Sequence, residues 1–184
     1  MTESHGQGRG RVLYLIVCAA PPAVAITDLV GLIQRLGWAV CVIPTPRAAS
    51  WLDADALVTR TGFPVRHDYR SAGDAEALPK PDAIALVPAT FNTINKWSSG
   101  ISDTFALGIL NEAIGLRMPV IVAPFAKSSL TAHPVFAESL ARLRLWGATV
   151  LPKEAIRPLP GSVTPDGPVF DWQFVIDAVS AIPG

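Results

Sequence analysis

The chain has 184 residues, of which half are hydrophobic and 16% are charged. This composition is typical of one globular domain with a sizeable core, and it excludes a disordered chain. Fifteen basic residues balance fifteen acidic ones, so the charge indicates neither a nucleic-acid partner nor an anionic membrane surface.

The first ten residues are polar and glycine-rich, and we expect a disordered tail at 1–10 before a single folded domain at 11–184. Behind the tail, apolar runs of strand length alternate with segments of helical spacing. In chain order, these predicted elements are a strand at 12–18, a helix at 23–36, a strand at 39–43 and a helix from 48 to about 59. A long polar loop follows at 62–81, with room for a short strand near Val65.

The alternation continues in the C-terminal half, where the segments of helical spacing are longer. The predicted elements are a strand at 83–87, a helical region at 91–115 that breaks at Gly100, a strand at 119–123, a helix at 134–147 and a strand at 148–151. Residues 152–168 are proline-rich and predicted to be irregular, and a final helix is predicted at 169–181.

Alternating helices and buried-type strands predict an α/β fold, a three-layer Rossmann-like or flavodoxin-like parallel sheet in a single domain. Right-handed crossovers place the carboxyl ends of all the strands at one edge. Four loops should therefore meet there and form a ligand site. They are residues 18–22, 44–47, 88–93 and 123–129.

No apolar run of the sequence is long enough to cross a bilayer. The two cysteines of the chain both lie inside predicted apolar runs. Cys18 and Cys41 fit neither a disulfide framework nor a metal-ligand spacing. We expect two buried thiols on neighbouring strands, no metal site and a cytoplasmic location.

The segment at 88–97 carries the most chemistry, and it reads Pro-Ala-Thr-Phe-Asn-Thr-Ile-Asn-Lys-Trp. Thr90, Asn92 and Thr93 supply hydrogen-bond donors and acceptors, and the small Ala89 lets a flat ring come close. The same Thr and Asn residues could instead cap the helix that follows. The two roles are compatible, and the position at the sheet edge favours ligand contact.

This segment resembles the Pro-Ala-Ser-Ala-Asn-Thr signature of the homo-oligomeric flavin-containing cysteine decarboxylases. The family includes phosphopantothenoylcysteine decarboxylase and the peptidyl-cysteine decarboxylases of lantibiotic biosynthesis. The resemblance runs from about Val12 to Leu151, and it includes Lys96 and the later Gly100-Ile-Ser-Asp103. It implies a Rossmann-like subunit that forms a homotrimer or homododecamer, with FMN bound between subunits.

The resemblance also implies which residues line the flavin. Loop 19–21 occupies the family's Gly-Ser phosphate-binding turn, and Thr45 matches a hydroxyl residue that contacts FMN. Thr45 could equally well be a turn residue before Pro46. The implied cofactor-binding residues are Ala19, Ala20, Pro21, Thr45, Ala89, Thr90, Phe91, Asn92, Thr93 and Phe125.

The chain departs from the family where a substrate would bind. The family's Pro-x-Met-Asn-x-x-Met-Trp clamp corresponds to residues 124–131, which keep the proline but neither Met-Asn nor Met-Trp. Lys127 replaces the asparagine, and it is either an anion contact or a solvated loop charge. The family's active-site His would fall at Asp74, which leaves His67 as a candidate base if it is not simply an exposed loop residue.

The resemblance implies FMN-dependent redox chemistry on a small or peptidyl substrate. In the family's decarboxylases the flavin oxidises a cysteine side chain to a thioaldehyde, which eases loss of the carboxylate. The departures leave a second hypothesis open, a non-catalytic flavin-binding or regulatory subunit. A flavin prenyltransferase on a similar fold is a third hypothesis, disfavoured by Asn92-Thr93 and by the absence of a basic phosphate loop.

Overall fold

A five-stranded parallel sheet forms the centre of the protein in the computed structural model, which describes residues 10–69, 78–164 and 167–183. In chain order the strands are β1 (Val12–Val17), β2 (Ala39–Pro44), β3 (Ala83–Ala89), β4 (Val120–Pro124) and β5 (Thr149–Val150). They lie in the order β2-β1-β3-β4-β5. The strand order reverses direction next to β1, which places the topological switch point between β1 and β3.

Helices cover both faces of the sheet, as the predicted three-layer α/β fold requires. In chain order they are α1 (Ile26–Arg35), α2 (Pro46–Ala49), α3 (Ala54–Thr61), α4 (Phe91–Ser98), α5 (Phe105–Gly115), α6 (Ser128–Thr131), α7 (Pro134–Leu145) and α8 (Gln173–Ser180). Helices α1, α3 and α8 pack on one face, and α4, α5 and α7 pack on the other. The fold prediction is therefore confirmed.

The alternation of side chains along β1 divides the core in two. Leu13 and Leu15 point into the cluster beneath α1 and α8, while Tyr14 and Ile16 point into the cluster beneath α4 and α5. All four are buried, because a central parallel strand is covered on both faces. Burial on both sides explains why the sequence of β1 is a continuous apolar run with no polar alternation.

Local sequence signals account for the helix boundaries around α3 and α5. The Asp53 side chain accepts a hydrogen bond from the Ala56 amide, and Gly62 ends α3 with a φ of 75°. Gly100 has a φ of 72°, which favours glycine, and it lies in the interruption between α4 and α5. The predicted break at Gly100 is confirmed.

The irregular segment predicted at 152–168 is wrong, while the final helix predicted at 169–181 is confirmed in a shorter form as α8. The chain before α8 forms an antiparallel hairpin of β6 (Arg157–Thr164) and β7 (Gly167–Asp171). Each strand of a two-stranded ribbon has one unpaired edge, so prolines that would break a central strand are tolerated there. The Arg157 guanidinium pairs with the Asp171 carboxylate at 3.0 Å and joins the two ends of the hairpin.

Three smaller predictions need correction. The helix predicted at 23–36 begins with a 3₁₀ turn at Pro21–Ala25 before α1. The helix predicted at 48–59 is two helices, α2 and α3, because Asp53 caps a new first turn. No strand forms near Val65 in the part of the chain that the structure describes.

Two further sequence predictions lie at or beyond the limits of the described residues. The tail predicted at 1–10 falls almost wholly outside them, and Asp74 does so completely. The division into a tail and a domain at 11–184 therefore stays a prediction. Across the described ranges, no helix is long and apolar enough to cross a membrane.

The core assignment predicts a large difference between two leucine truncations. Leu15 is fully buried in β1, and Leu145 at the end of α7 is 87% exposed. Leu15→Ala should lower the free energy of unfolding by roughly 2–5 kcal/mol because it leaves a cavity. Leu145→Ala should change it by less than about 0.5 kcal/mol. Urea unfolding followed by circular dichroism measures both, and equal losses would contradict the assignment.

Candidate functional site

Backbone hydrogen bonds extend the sheet beyond the strand ends and hold four loops together. The Cys18 amide donates to the Pro88 carbonyl at 3.2 Å, and the Thr45 amide donates to the Val17 carbonyl at 2.8 Å. A third bond of 2.8 Å joins the loop after β4 to the last residue of β3. The four predicted loops therefore meet at the carboxyl edge of the sheet, where ligands bind in open α/β folds.

A cleft of about 460 Å³ opens at this edge, between the ends of β1, β2 and β3 and the first turns of α4 and α5. Ligand pockets usually have volumes of about 300–1,000 Å³. The residues predicted to bind a cofactor that do line this cleft are Ala19, Thr45, Thr90, Asn92 and Thr93. The structure thus brings half of the predicted cofactor residues into one cavity.

The first turn of α4 lacks a side-chain cap. Thr90 occupies the N-cap position, but its hydroxyl donates to the Thr93 hydroxyl at 3.1 Å and caps no backbone amide. The first amides of a helix have no acceptor within the helix. Capping therefore does not explain the Thr90 side chain, and the first-turn amides of α4 can bind a ligand instead.

The Thr93 hydroxyl lies at the centre of a small polar cluster on the floor of the cleft. It is only 6% exposed, and it accepts hydrogen bonds from Thr90 and, at 3.3 Å, from the Cys18 thiol. Both lone pairs of the oxygen are thus engaged, which leaves its own proton as a donor. Cys18 and Thr90 therefore fix the direction in which Thr93 can donate.

Two basic side chains line the cleft, and they differ in their partners. Lys96 of α4 forms an ion pair with Asp103, in the segment between α4 and α5. Arg47, at the second position of α2, is exposed, and its guanidinium has no hydrogen-bond or ion-pair partner among the described residues. The cleft therefore presents one neutralised cation and one that is free to bind an anion.

The two cysteines behave as core thiols. Burial raises the pKa of Cys18, against smaller opposing effects of its hydrogen bonds with Thr93 and Thr90. Burial also raises the pKa of Cys41 to about 12. Both thiols are free and buried, so they remain protonated near neutral pH and are poor nucleophiles.

Other predicted cofactor residues lie around the cleft without lining it. Ala20 and Ala89 are buried, and the small Ala89 ends β3 directly before Thr90. Pro21 is exposed at the start of the 3₁₀ turn. Phe91 turns toward α7, where its ring is 5.7 Å from that of Phe136. These residues shape the elements that form the cleft.

The remaining candidates lie outside the cleft. Phe125, which was predicted to contact the cofactor, instead lines a separate cavity of about 240 Å³ beside α6. Lys127 is exposed at the start of α6, and His67 is exposed in the loop after α3. His133 caps α7, since its Nδ1 accepts a hydrogen bond from the Val135 amide at 3.2 Å.

Five cleft-lining residues were not predicted as ligand contacts, and they are Pro46, Arg47, Lys96, Thr104 and Leu107. Arg47 follows β2 directly, so its position in the second loop is a signal that could have identified it. Thr104 and Leu107 come from α5, which reaches the cleft only through helix packing. Thr104 caps α5 with its side chain, as its spacing to Leu107 allows. No pattern in the sequence indicates that α5 borders the cleft.

Comparison with known proteins identifies the wider group to which the chain is related. A family model described as Flavoprotein matches residues 1–181. The coenzyme A biosynthesis bifunctional protein CoaBC of Thermococcus kodakarensis is 30% identical over 142 residues, which cover 72% of this chain and 34% of that protein. The chain thus spans about a third of the length of this relative.

Solved structures agree with the observed fold. The FMN-dependent cysteine decarboxylase TvaF from thioviridamide biosynthesis is 26% identical and has a TM-score of 0.67, covering 77% of this chain and 89% of that one. The FMN-dependent cysteine decarboxylase SpaF has a TM-score of 0.68 at 19% identity, covering 95% and 98% of the two chains. These matches confirm the predicted resemblance and support a flavin cofactor.

Burial of both thiols predicts that they resist modification in the folded protein. Their raised pKa values keep them protonated at pH 8, and burial blocks access, so an Ellman assay should detect almost no thiol. Under denaturing conditions the same assay should detect two thiols per chain. Rapid labelling of the native protein that disappears in a Cys18→Ser variant would contradict the buried position of Cys18.

Proposed function

The chain belongs to the Flavoprotein family, and on that premise we propose that it binds FMN in the cleft at the sheet edge. The bound cofactor serves redox chemistry of the cysteine-decarboxylase type on a small or peptidyl substrate. One observation carries the proposal: Thr90, Asn92 and Thr93 of the signature segment line a single cleft together with Ala19 and Thr45. Similarity to FMN-dependent cysteine decarboxylases supports it.

The residues of the cleft fit a flavin ring. The pyrimidine edge of a flavin carries carbonyl acceptors and an imide donor. The uncapped amides of α4 and the Thr93 hydroxyl supply donors, and the Asn92 side chain supplies both a donor and an acceptor. The small Ala19 lines the cleft and leaves room for a flat ring near the backbone. This combination of small residues and fixed polar groups supports the proposed cofactor.

The protein would bind and orient the cofactor, and it would keep competing groups inactive. A bound flavin would supply the two-electron oxidation that no side chain of this site can perform. Asn92 and Thr93 hold the ring edge, and Thr93 is itself held by Cys18. Because burial keeps Cys18 protonated, this thiol does not compete with a substrate thiol for the flavin.

Assembly and substrate contact extend the proposal. We place FMN between subunits of a homotrimer or homododecamer, and apolar side chains exposed at the C-terminal ends of two helices support contacts between subunits. Leu116 after α5 is 73% exposed and Trp146 after α7 is 40% exposed. Lys127 is proposed to reach a substrate anion, since it is exposed next to the loop that follows β4.

A second candidate, a non-catalytic flavin-binding or regulatory subunit, is favoured by a specific observation. The described residues that line the cleft include no histidine and no carboxylate, and Lys96 is paired with Asp103. General acid–base catalysis requires a titratable group within hydrogen-bond reach of the reacting atoms. His67, proposed as a weak candidate base, lies outside the described lining of the cleft, so proton transfer needs a group from elsewhere.

The proposal predicts that the protein binds FMN, and that this binding depends on Asn92 in α4. Purified protein reconstituted with FMN should show a flavin absorbance spectrum and the mass of a trimer or a larger multiple of three. Asn92→Ala should weaken FMN binding by about tenfold because it removes hydrogen bonds to the ring. The matched control is Gln173→Ala, an exposed amide on α8. Failure of the wild-type protein to bind FMN would sink the proposal.

Anaerobic spectroscopy separates the two candidate functions. An oxidative decarboxylase should bleach the 450 nm flavin band when peptides with a C-terminal cysteine are added, with release of CO₂. The matched peptides with a C-terminal serine should cause no bleaching. A protein that binds FMN but bleaches with none of the cysteine substrates is expected of the non-catalytic subunit.

A further inference from the structure

The loop after β1 offers few donors for an anion. The Cys18 amide is used across the sheet, the Ala20 amide bonds to the Cys18 carbonyl at 2.9 Å, and the Ala23 amide bonds to the Ala20 carbonyl at 2.8 Å. The prolines at 21–22 have no N–H. In this fully described loop, Ala19 alone has a backbone amide without an acceptor in the chain. One amide is little support for a doubly charged phosphate.

The guanidinium of Arg47 provides the charge that this loop lacks. Lys96, the other cation lining the cleft, is already paired with Asp103. Arg47 is free of partners among the described residues. A guanidinium matches the geometry of a phosphate because it presents several N–H donors in one plane.

The topology separates Arg47 from the donors that suit a ring. Thr45 and Arg47 follow β2, while Asn92 and Thr93 follow β3, and β1 lies between these two strands. Adjacent strands are about 4.8 Å apart, so the two groups stand on the order of 10 Å from each other across the cleft. This separation suits a ligand that has a planar head at α4 and an anionic tail, connected by a short flexible chain.

The polar groups on the β2 side are available to such a tail. Thr45 occupies the N-cap position of α2, but its side chain caps no amide there. Its backbone amide is bound to the Val17 carbonyl at 2.8 Å, which fixes Thr45 beside the end of β1. The Thr45 hydroxyl, the Ala19 amide and the Arg47 guanidinium thus line the same cleft on its β1–β2 side.

We propose that Arg47 binds the 5′-phosphate of FMN and thereby makes the cleft select FMN over riboflavin. This inference rests on the proposed flavin function and assigns the cofactor's two ends: the ring edge to α4 and the phosphate to the residues after β2. The positive charge of Arg47 compensates for the lack of free backbone amides in the loop after β1. Arg47 is then a specificity residue for the cofactor.

Binding titrations with two flavins test the assignment. Fluorescence quenching of FMN and of riboflavin is measured for the wild-type protein, Arg47→Gln and Arg47→Lys. The matched control is Arg35→Gln, which removes the same charge from the exposed end of α1. Circular dichroism melting confirms that each variant is folded, so that loss of affinity is not loss of structure.

The wild-type protein should bind FMN at least about tenfold more tightly than riboflavin, because a charge-assisted pair contributes on this scale. Arg47→Gln should lose most of that preference and bind riboflavin unchanged, Arg47→Lys should keep part of it, and Arg35→Gln should match the wild type. Raising the salt concentration should reduce the preference of the wild type more than that of Arg47→Gln.

Two outcomes overturn the assignment while leaving flavin binding intact. One is equal wild-type affinity for FMN and riboflavin, and the other is a preference for FMN that Arg47→Gln retains in full. Failure of the wild type to bind either flavin overturns the proposed function itself and the assignment with it. The riboflavin measurement therefore separates a wrong assignment of Arg47 from a wrong assignment of the cofactor.

Discussion

The continuation of parallel pairing past the ends of the strands is the constraint on which the site depends. The Thr45 amide binds the end of β1, the Cys18 amide binds Pro88 near the end of β3, and the loop after β4 binds the last residue of β3. Breaking one of these bonds would leave a buried backbone N–H or C=O group without a hydrogen-bond partner, which costs free energy. The loops therefore meet as continuations of one hydrogen-bonded sheet, which holds the walls of the cleft together.

These hydrogen bonds explain how a short polar segment can define a binding site. Thr93 is nearly buried and held by Thr90 and Cys18, so its remaining donor has one direction. The first-turn amides of α4 are left without a side-chain cap, and they point where the helix begins, at the sheet edge. Preorganised donors of this kind bind a ligand at little cost in conformational entropy. This arrangement favours the planar ligand proposed for the cleft.

The sequence predictions succeeded where local sequence sets the structure, and they failed where contacts between distant elements set it. The five strands were predictable because burial on both faces produces unbroken apolar runs, and the break at Gly100 was predictable because its φ of 72° favours glycine. The β6–β7 hairpin was not, since its prolines suggested irregular chain and its pairing joins Arg157 to Asp171 across the ribbon. The contribution of Thr104 to the cleft was likewise unpredictable, because α5 reaches it through helix packing alone.

The sequence by itself determined the α/β alternation, the edge at which four loops meet and the family to which the signature segment belongs. It did so because strand burial and right-handed crossovers are local and topological rules that leave few alternatives. Only the tertiary structure decided which polar groups are free. It paired Lys96 with Asp103, turned the Thr90 hydroxyl to Thr93 and left Arg47 without a partner among the described residues. Those choices depend on distances between elements, which no spacing along the chain contains.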